Sequence, residues 1–465
     1  LAFIGIDLGT SFVKAAILDP EAYHLQHVHR ISFPEPISGL ESFQCEFNPA
    51  DVVATVSDLI NQLAGFSARF EGLVMCTQMS CLVLMDDHGN ARSNCIGWRD
   101  QRALQPHPSG GGSYYDVLQR RVGRARRELG NEMPPGSPIS FLFWLAEQGK
   151  LEPGLVPVSF GDFVLSRLCG SPASVESTNA MAYELLRLET LDWHQEVIQE
   201  LGLDRLHWPR IRREGEVVGT LKIGANEVPC YTPVGDYQCA LAGALLTEEE
   251  LSLNISTGSQ VSRLTGHLSL GDYQTRPFFD GKFTNTFSHL PAGRSLDVLV
   301  DLLSEFPQSA GVAVPGLWEY IDQAAKSVAQ TDLRVDLSFY PGPCGDQGAI
   351  SNIRERNLTV GNLFRASFEN MAQNYYDLAS RIWPERSWRN IVFSGGLARK
   401  AGLLRKIIEE KFQTRSRLCP LEEDTLLGMI ALAQAFSHRV PTVAQAMENV
   451  RLHFAKESRI SEQSN

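Results

Sequence analysis

Four short segments of the chain carry residue types suited to phosphate chemistry. In Asp7-Leu8-Gly9-Thr10-Ser11-Phe12-Val13-Lys14, the glycine lets backbone approach a phosphate closely. Thr10 and Ser11 add hydroxyls, and turn N–H groups form an anion-binding concavity. Lys14 adds a positive charge beyond the turn, and Asp7, at a strand end, can hold magnesium directly or through water. The spacing is not that of a Walker A loop, and taken alone the segment also reads as a plain hairpin turn. Ser256-Thr257-Gly258-Ser259 repeats the same logic in the second half. Together the two turns are what a phosphate chain held from two sides needs. Gly235-Asp236-Tyr237-Gln238 reads as a short loop before a helix at 240–246. Asp236 there is either a helix N-cap or a general base. Phosphoryl transfer to an alcohol is largely positioning and charge neutralisation, with one carboxylate to orient the hydroxyl and accept its proton. Ser394-Gly395-Gly396-Leu397-Ala398-Arg399-Lys400 puts two glycines between a strand and a helix. A flat ligand such as adenine can lie against such backbone, or the glycines serve a tight connection.

The elements that must position these residues follow from apolar periodicity. Runs at 2–8 and 13–18 flank the first turn and predict a β-hairpin. Short strands at 73–75 and 81–85 are followed by the turn Asp87-His88-Gly89-Asn90. Residues 104–137 read as irregular, with a basic helix-like stretch at 120–127 taken as a solvated face. From about Val234 the pattern recurs: strands at 251–256 and 261–264 flank the second turn. A strand at 391–393 runs into Ser394. Helical spacing covers 363–382 and 403–412, and 426–436 is a Gly/Ala-rich helix suited to close packing. Strands mixed with long helices predict an α/β fold, and a frayed polar tail is expected after Ala455.

The 465 residues exceed the roughly 250–300 that one core supports. Two domains are expected, 1–240 and 241–455, with a tail at 456–465. Hydrophobic residues at 43% and charged residues at 21% fit a soluble globular protein. The net charge of −12 argues against nucleic-acid or anionic-membrane partners. It leaves phosphate ligands open, because backbone N–H groups bind them without Lys or Arg. Nine scattered cysteines with no C-x-x-C pair signal neither zinc nor a disulfide framework, and predict free thiols in the cytoplasm. No apolar run approaches ~18 residues, so no membrane span is expected, and the opening reads as a strand and not a signal peptide. Asn254-Ile255-Ser256 and Asn357-Leu358-Thr359 match the glycosylation pattern but carry no meaning in a cytosolic protein.

Phosphate turn, Gly-Asp-x-Gln, phosphate turn and Gly-Gly, in that order, is the order of the FGGY carbohydrate kinases, which the chain resembles over nearly its whole length. Ile4-Gly5-Ile6-Asp7-Leu8-Gly9-Thr10-Ser11 looks like the family's first phosphate motif, and 253–258 like its second. Thr77-Gln78-Met79-Ser80 is similar to the Gly-Gln-Met-His substrate motif, Trp98-Arg99-Asp100 to Trp-Asn-Asp, and Ser394-Gly395-Gly396 to the adenosine motif. The resemblance implies two actin-like ribonuclease-H-type domains flanking a catalytic cleft, with sugar against the first and ATP against the second. It implies Asp236 as base, with Gln78, Met79, Trp98, Asp100 and Gln238 sharing the sugar pocket. Thr10, Ser11, Lys14, Thr257, Gly258, Gly293, Gly396 and Lys400 would contact ATP, and Asp7 and Asp236 would hold Mg2+. The expected partners are a small sugar and ATP, and the expected state is a monomer or homodimer.

The segments 253–260 and Ala292-Gly293-Arg294-Ser295 look most like sedoheptulokinases, so the expected substrate is a ketose or polyol of five to seven carbons. Sedoheptulose comes first and xylulose or ribulose next, with glycerol or a sugar acid as alternatives. The departures fall on specificity: Ser80 stands where His is frequent, Arg99 where Asn is, and Lys400 where the adenosine motif ends in Asn. No Gly-Glu-Arg motif matches near 340–346. Two rival readings use the same fold: an actin-like or heat-shock chaperone ATPase, and a non-catalytic sugar-binding regulator.

Overall fold

The run Ala2–Leu8 is buried along most of its length, as a strand covered on both faces must be. In the computed structural model, which describes residues 2–67 and 69–463, this strand pairs antiparallel with Phe12–Asp19 and parallel with Phe70–Thr77. The sheet runs Val217–Ile223, Asn226–Tyr231, Phe70–Thr77, Ala2–Leu8, Phe12–Asp19, His24–Ser32. The two-residue strand Val234–Gly235 also pairs parallel with Phe70–Thr77. Ile4, Ile6 and Leu8 point into one core, shared with helices Pro49–Ala64 and Phe160–Cys169. Successive strand residues alternate faces, so Asp7 points the other way, where helix Asp424–Phe436 packs on the same strands. Residues between 82 and 206 build a second apolar cluster around Phe141, Phe143 and Tyr183.

Two compact units result. The first comprises Leu1–Leu245, Gly266–Phe283 and Glu423–Asn465; the second comprises Leu246–Thr265 and Thr284–Glu422. In the second unit the strand order is Phe283–Leu290, Ser259–Thr265, Glu250–Ile255, Asn390–Ser394, Arg415–Leu418. Again an antiparallel hairpin is extended by parallel neighbours, so each unit repeats one plan. The units differ from a cut at 240 in where they place 266–283 and 423–455. Pairing between residues some 400 apart leaves no local trace in sequence.

Three local expectations change. Within 104–137 there are helices, Tyr114–Val122 and Ala125–Glu128. The first is started by a capping box between Ser113 and Asp116. The basic stretch is a solvated face, with Arg120, Arg121, Arg124 and Arg127 exposed. Residues 456–463 are not a separate tail but continue helix Val443–Gln463, since Lys, Glu, Arg and Gln favour helix; residues 464 and 465 lie outside the described residues. Asp236 is not in a loop: it opens helix Asp236–Gly243. No helix among the described residues is long and apolar enough to cross a membrane, and the nine cysteines are free thiols.

Candidate active site

Sheet register explains why Asp236 and Asp7 meet. Cys76 lies beside Asp7 on one side and Val234 on the other. The carboxyl ends of parallel strands therefore converge where ligands bind in open α/β sheets. Gly235 is the N-cap of the helix that follows, with no side-chain capping bond, which removes the N-cap reading of Asp236. The approach to Asp236 is fixed by neighbours. The Gly235 N–H donates to Thr178 Oγ1 at 2.8 Å, and Asn179 Nδ2 donates to the Pro233 carbonyl at 2.9 Å. Thr178 is itself held by the buried carboxylate of Glu176, which accepts its N–H and its hydroxyl. Glycine at 235 leaves room for its neighbours: a Cβ there would sit 2.5 Å from Gln238 Oε1 and 3.2 Å from Met79 Sδ, and both side chains would have to shift.

The charges around Asp236 are concentrated. Asp7, 4% exposed, accepts a hydrogen bond from Thr425 Oγ1 at 2.7 Å and pairs with Lys14 Nζ at 3.6 Å. Lys14 also donates to Glu423 at 2.6 Å. Burial opposes the Lys14 charge, but Asp7 and Glu423 outweigh it and raise its pKa. Burial, then the charge of Asp7, pushes the Asp236 carboxyl up to about 7, against the Tyr237 N–H and the Arg276 guanidinium. Asp424 rises to about 6 for the same first reason, with Asp7 and Glu423 adding repulsion against Lys14 and the Thr425 N–H. A carboxylate poised near neutral pH suits a general base. Asp236 and Asp424 each feel the charge of Asp7, and carboxylates of this kind are the oxygen donors that a hard divalent cation takes, directly or through water.

The sequence-predicted sugar residues do not all behave alike. Gln78, 4% exposed, donates from Nε2 to the Gly9 carbonyl at 3.2 Å, tying the substrate motif to the first phosphate turn. Trp98 is 43% exposed and donates from Nε1 to Thr10 Oγ1 at 3.2 Å. Arg99 lies over the Trp98 ring, 5.3 Å from its centroid. Thr10, Ser11, Gln78, Trp98 and Arg99 share a cavity of about 200 Å³. Met79 is half-buried against the apolar cluster of 82–206, and Ser80 takes a left-handed φ of 59°. Gln238 is fully buried, donates to the Pro277 carbonyl at 3.1 Å and leaves Oε1 without a partner. Asp100 needs correction as a sugar ligand. It is fully buried, and its oxygens accept from Arg102 Nε and N and from the Cys45 N–H. It fixes the loop that carries Trp98.

In the second unit, Thr257 and Gly258 are exposed at the turn between strands Glu250–Ile255 and Ser259–Thr265. The turn is braced by helix Gly293–Ser309: the Gly293 and Arg294 N–H groups donate to the Ser256 and Thr257 carbonyls at 3.0 and 2.8 Å. Gly293 must be glycine, since a Cβ would fall 2.7 Å from the Ser256 carbonyl oxygen. Gly395 has φ 89°, and its Cβ would meet the Ile255 carbonyl at 2.4 Å, whereas Gly396 and Lys400 are exposed. Arg294 stacks on Tyr340 at 3.6 Å.

The sequence motifs do not single out Asp424, Glu423 and Thr425, which the structure brings to Asp7 and Lys14. The signal was there: Glu422-Glu423-Asp424 directly precedes the Gly/Ala-rich helix. Thr178 and Glu176 are not singled out either, and no local pattern marks them.

Comparison with known proteins places this geometry. A family model described as "FGGY family of carbohydrate kinases, N-terminal domain" matches residues 2–243. Sedoheptulokinase of Mus musculus is 21% identical, over 88% of this chain and 92% of its own length. Among solved structures, gluconate kinase from Lactobacillus acidophilus superposes with TM-score 0.81 at 17% identity, covering 99% of this chain and 98% of its own. Xylulose kinase from Rhodospirillum rubrum gives 0.82 at 15% identity, covering 100% and 99%. These last two establish the fold.

Proposed function

Since the chain belongs to the FGGY family of carbohydrate kinases, and so transfers phosphoryl groups from ATP to a sugar, we propose that Asp236 accepts the proton of the hydroxyl that is phosphorylated. The observation that carries this is a half-buried carboxyl at the strand ends, raised to about 7 beside Asp7. At that value it is largely ionised at slightly alkaline pH yet basic enough to take a proton in the transition state. Asp7, Asp236 and Asp424 would hold Mg2+, which when bound with ATP neutralises phosphate charge. Thr178 and Asn179 keep the Pro233–Gly235 backbone, and with it Asp236, in place.

We assign Thr10, Ser11 and Lys14, and in the second unit Thr257, Gly258, Gly293, Gly396 and Lys400, to the nucleotide. Gly258 offers a clean test, because a Cβ there meets nothing within 4 Å. Gly258→Val should leave the melting temperature within about 2 °C, in the range expected for surface changes, and weaken ATP binding while sugar binding persists. Calorimetry giving unchanged ATP affinity would remove the turn from the nucleotide site.

The acids make a pH prediction. Unfolded carboxyls ionise near 4, whereas folded Asp236 and Asp424 do so near 7 and 6. Between about pH 4 and 7 the folded state therefore holds protons that the unfolded state has released, and stability rises as pH falls from 8. Without Mg2+ the melting temperature should be higher at pH 6 than at pH 8. Millimolar Mg2+ should recover the difference at pH 8, and an Asp236→Asn/Asp424→Asn variant should show less of either effect. Equal pH and Mg2+ responses in the variant would dissociate these acids from the metal.

For the substrate we infer a ketose or polyol of five to seven carbons phosphorylated on a terminal hydroxyl, sedoheptulose first. Support comes from the similarity to a sedoheptulokinase across nearly the full chain, and from Arg99 and Ser80 at the specificity motifs. An assay coupling ADP release to a panel of tetroses to heptoses, polyols and sugar acids tests it. Turnover of glycerol or an aldonic acid alone contradicts the ketose assignment.

A further inference from the structure

The guanidinium that opposes the rise of the Asp236 carboxyl is itself held in a fixed orientation. Arg276, in strand Gln274–Pro277 of the first unit, is only 6% exposed. Its Nε and Nη2 donate to the two carboxylate oxygens of Glu132 at 2.8 and 2.6 Å, the planar two-point pairing that arginine favours. Its guanidinium lies over the ring of Tyr237, 4.3 Å from the centroid, and Tyr237 is the residue after the base.

The strand is fixed from two directions. The Thr275 N–H donates to the Gly130 carbonyl at 2.9 Å, and the Pro277 carbonyl accepts from Gln238. Gly130 permits this approach, since a Cβ there would fall 2.3 Å from the Thr275 carbonyl oxygen. A few residues on, the Cβ of any other residue at Gly136 would fall 1.9 Å from the Trp98 carbonyl oxygen. The 130–136 loop therefore spans from the Trp98 loop to Arg276, and the helix opening at Asp236 lies under the guanidinium. Of the five N–H groups of arginine, Glu132 takes two, and three remain.

A second buried acid lies close enough to feel both Glu132 and Arg276. Glu184 is 1% exposed, holds a left-handed φ of 59°, and has the Ser137 hydroxyl near its carboxylate, with no hydrogen bond of full geometry. Burial, then the charge of Glu132, keeps it well above the usual carboxylate range, with Ser137, Arg126 and Arg276 opposing. A buried carboxylate is costly, so Glu184 is held in its neutral form beside the Arg276–Glu132 pair.

We propose that Arg276, steadied by Glu132, is a specificity-determining residue that donates to the oxygens of the sugar's carbon chain adjoining the hydroxyl that Asp236 deprotonates. The inference rests on the reading of Asp236 as the base of a sugar kinase. A fixed fork with donors to spare matches adjacent oxygens on an extended carbon chain. A three-carbon polyol offers fewer of them, so the residue selects for longer ketoses and polyols.

The test is steady-state kinetics of the full chain and its Arg276→Gln, Arg276→Lys and Glu132→Gln variants on xylulose, ribulose, sedoheptulose and glycerol. Loss of a hydrogen bond to a charged group predicts that Arg276→Gln raises the KM of its five- to seven-carbon substrate roughly 10- to 100-fold. KM for ATP should stay within about twofold. Arg276→Lys should fall between, and Glu132→Gln should shift sugar KM in the same direction by less. If Arg276→Gln does not fold, Arg276→Lys, which keeps the charge, decides. Unchanged sugar KM in the soluble Arg276 variants, or a fall in kcat alone, overturns the proposal. Parallel rises in sugar and ATP KM also overturn it, since they report a structural role. Absence of turnover by the wild type with every sugar instead removes the reading on which the proposal stands.

Discussion

Asp236→Asn lowers kcat for sugar phosphorylation by roughly 10²–10⁴-fold, the usual worth of a general base, with a KM for ATP close to wild type. The substitution keeps the shape and the capacity to accept the Tyr237 N–H, and removes the proton acceptor. It also removes one charge from a crowded group. Because burial and Asp7 raise the Asp236 carboxyl to about 7, its ionised form is destabilised in the fold. At pH 8 without Mg2+ the variant should therefore melt no lower than wild type. Loss of activity with retained or improved stability separates a chemical role from a structural one. A variant that turns over sugar at near wild-type rate excludes Asp236 as the base.

Gly428→Val should produce the largest loss of stability. Helices Asp236–Gly243 and Asp424–Phe436 cross with backbone in contact. A Cβ at Gly428 would fall 2.0 Å from the Cys239 carbonyl oxygen, and one at Gly243 would fall 1.8 Å from the Asp424 carbonyl oxygen. The obstruction is backbone against backbone, so no side-chain rotation relieves it and the helices must separate. Overpacking a core costs typically 1–3 kcal/mol, and this geometry points to about 3 kcal/mol or more. That corresponds to a fall in melting temperature on the order of 5 °C or more. The two helices begin with Asp236 and Asp424, so separation also displaces two of the three acids, and activity should fall with stability. Gly396→Ala is the control, because a Cβ there meets nothing within 4 Å, and it should melt like wild type. A Gly428→Val protein that melts within about 2 °C of wild type would show that the crossing yields easily.

The hairpins at Gly9 and Gly258 were legible in sequence because each is built locally, from an apolar run, a small-residue turn and a second run. The motif Gly-Asp-x-Gln singles out Asp236 in the sequence, and the structure begins the helix at Asp236 itself and not at 240. Propensity could not show this, because Gly235 caps the helix through its backbone, with no side-chain bond. The capping box of Ser113 and Asp116 is a local helix signal that the glycines at 110–112 mask. What was not legible depends on distant pairing. Asp424 and Thr425 join Asp7 across more than 400 residues. Arg276 joins Glu132 across 144. Asp100 shows the opposite failure: its motif suggests a ligand, but Arg102, two residues on, saturates its carboxylate.

The most direct test of Asp236 as base for a sugar hydroxyl is transfer of label from [γ-³²P]ATP, with Mg2+ and a five- to seven-carbon ketose, by the wild type and Asp236→Asn at pH 8. The account predicts that wild type places the label on the sugar in step with ADP formation, and that Asp236→Asn forms the same product far more slowly. Label recovered only as inorganic phosphate at a rate independent of sugar, or equal labelling of sugar by the two proteins, would contradict it.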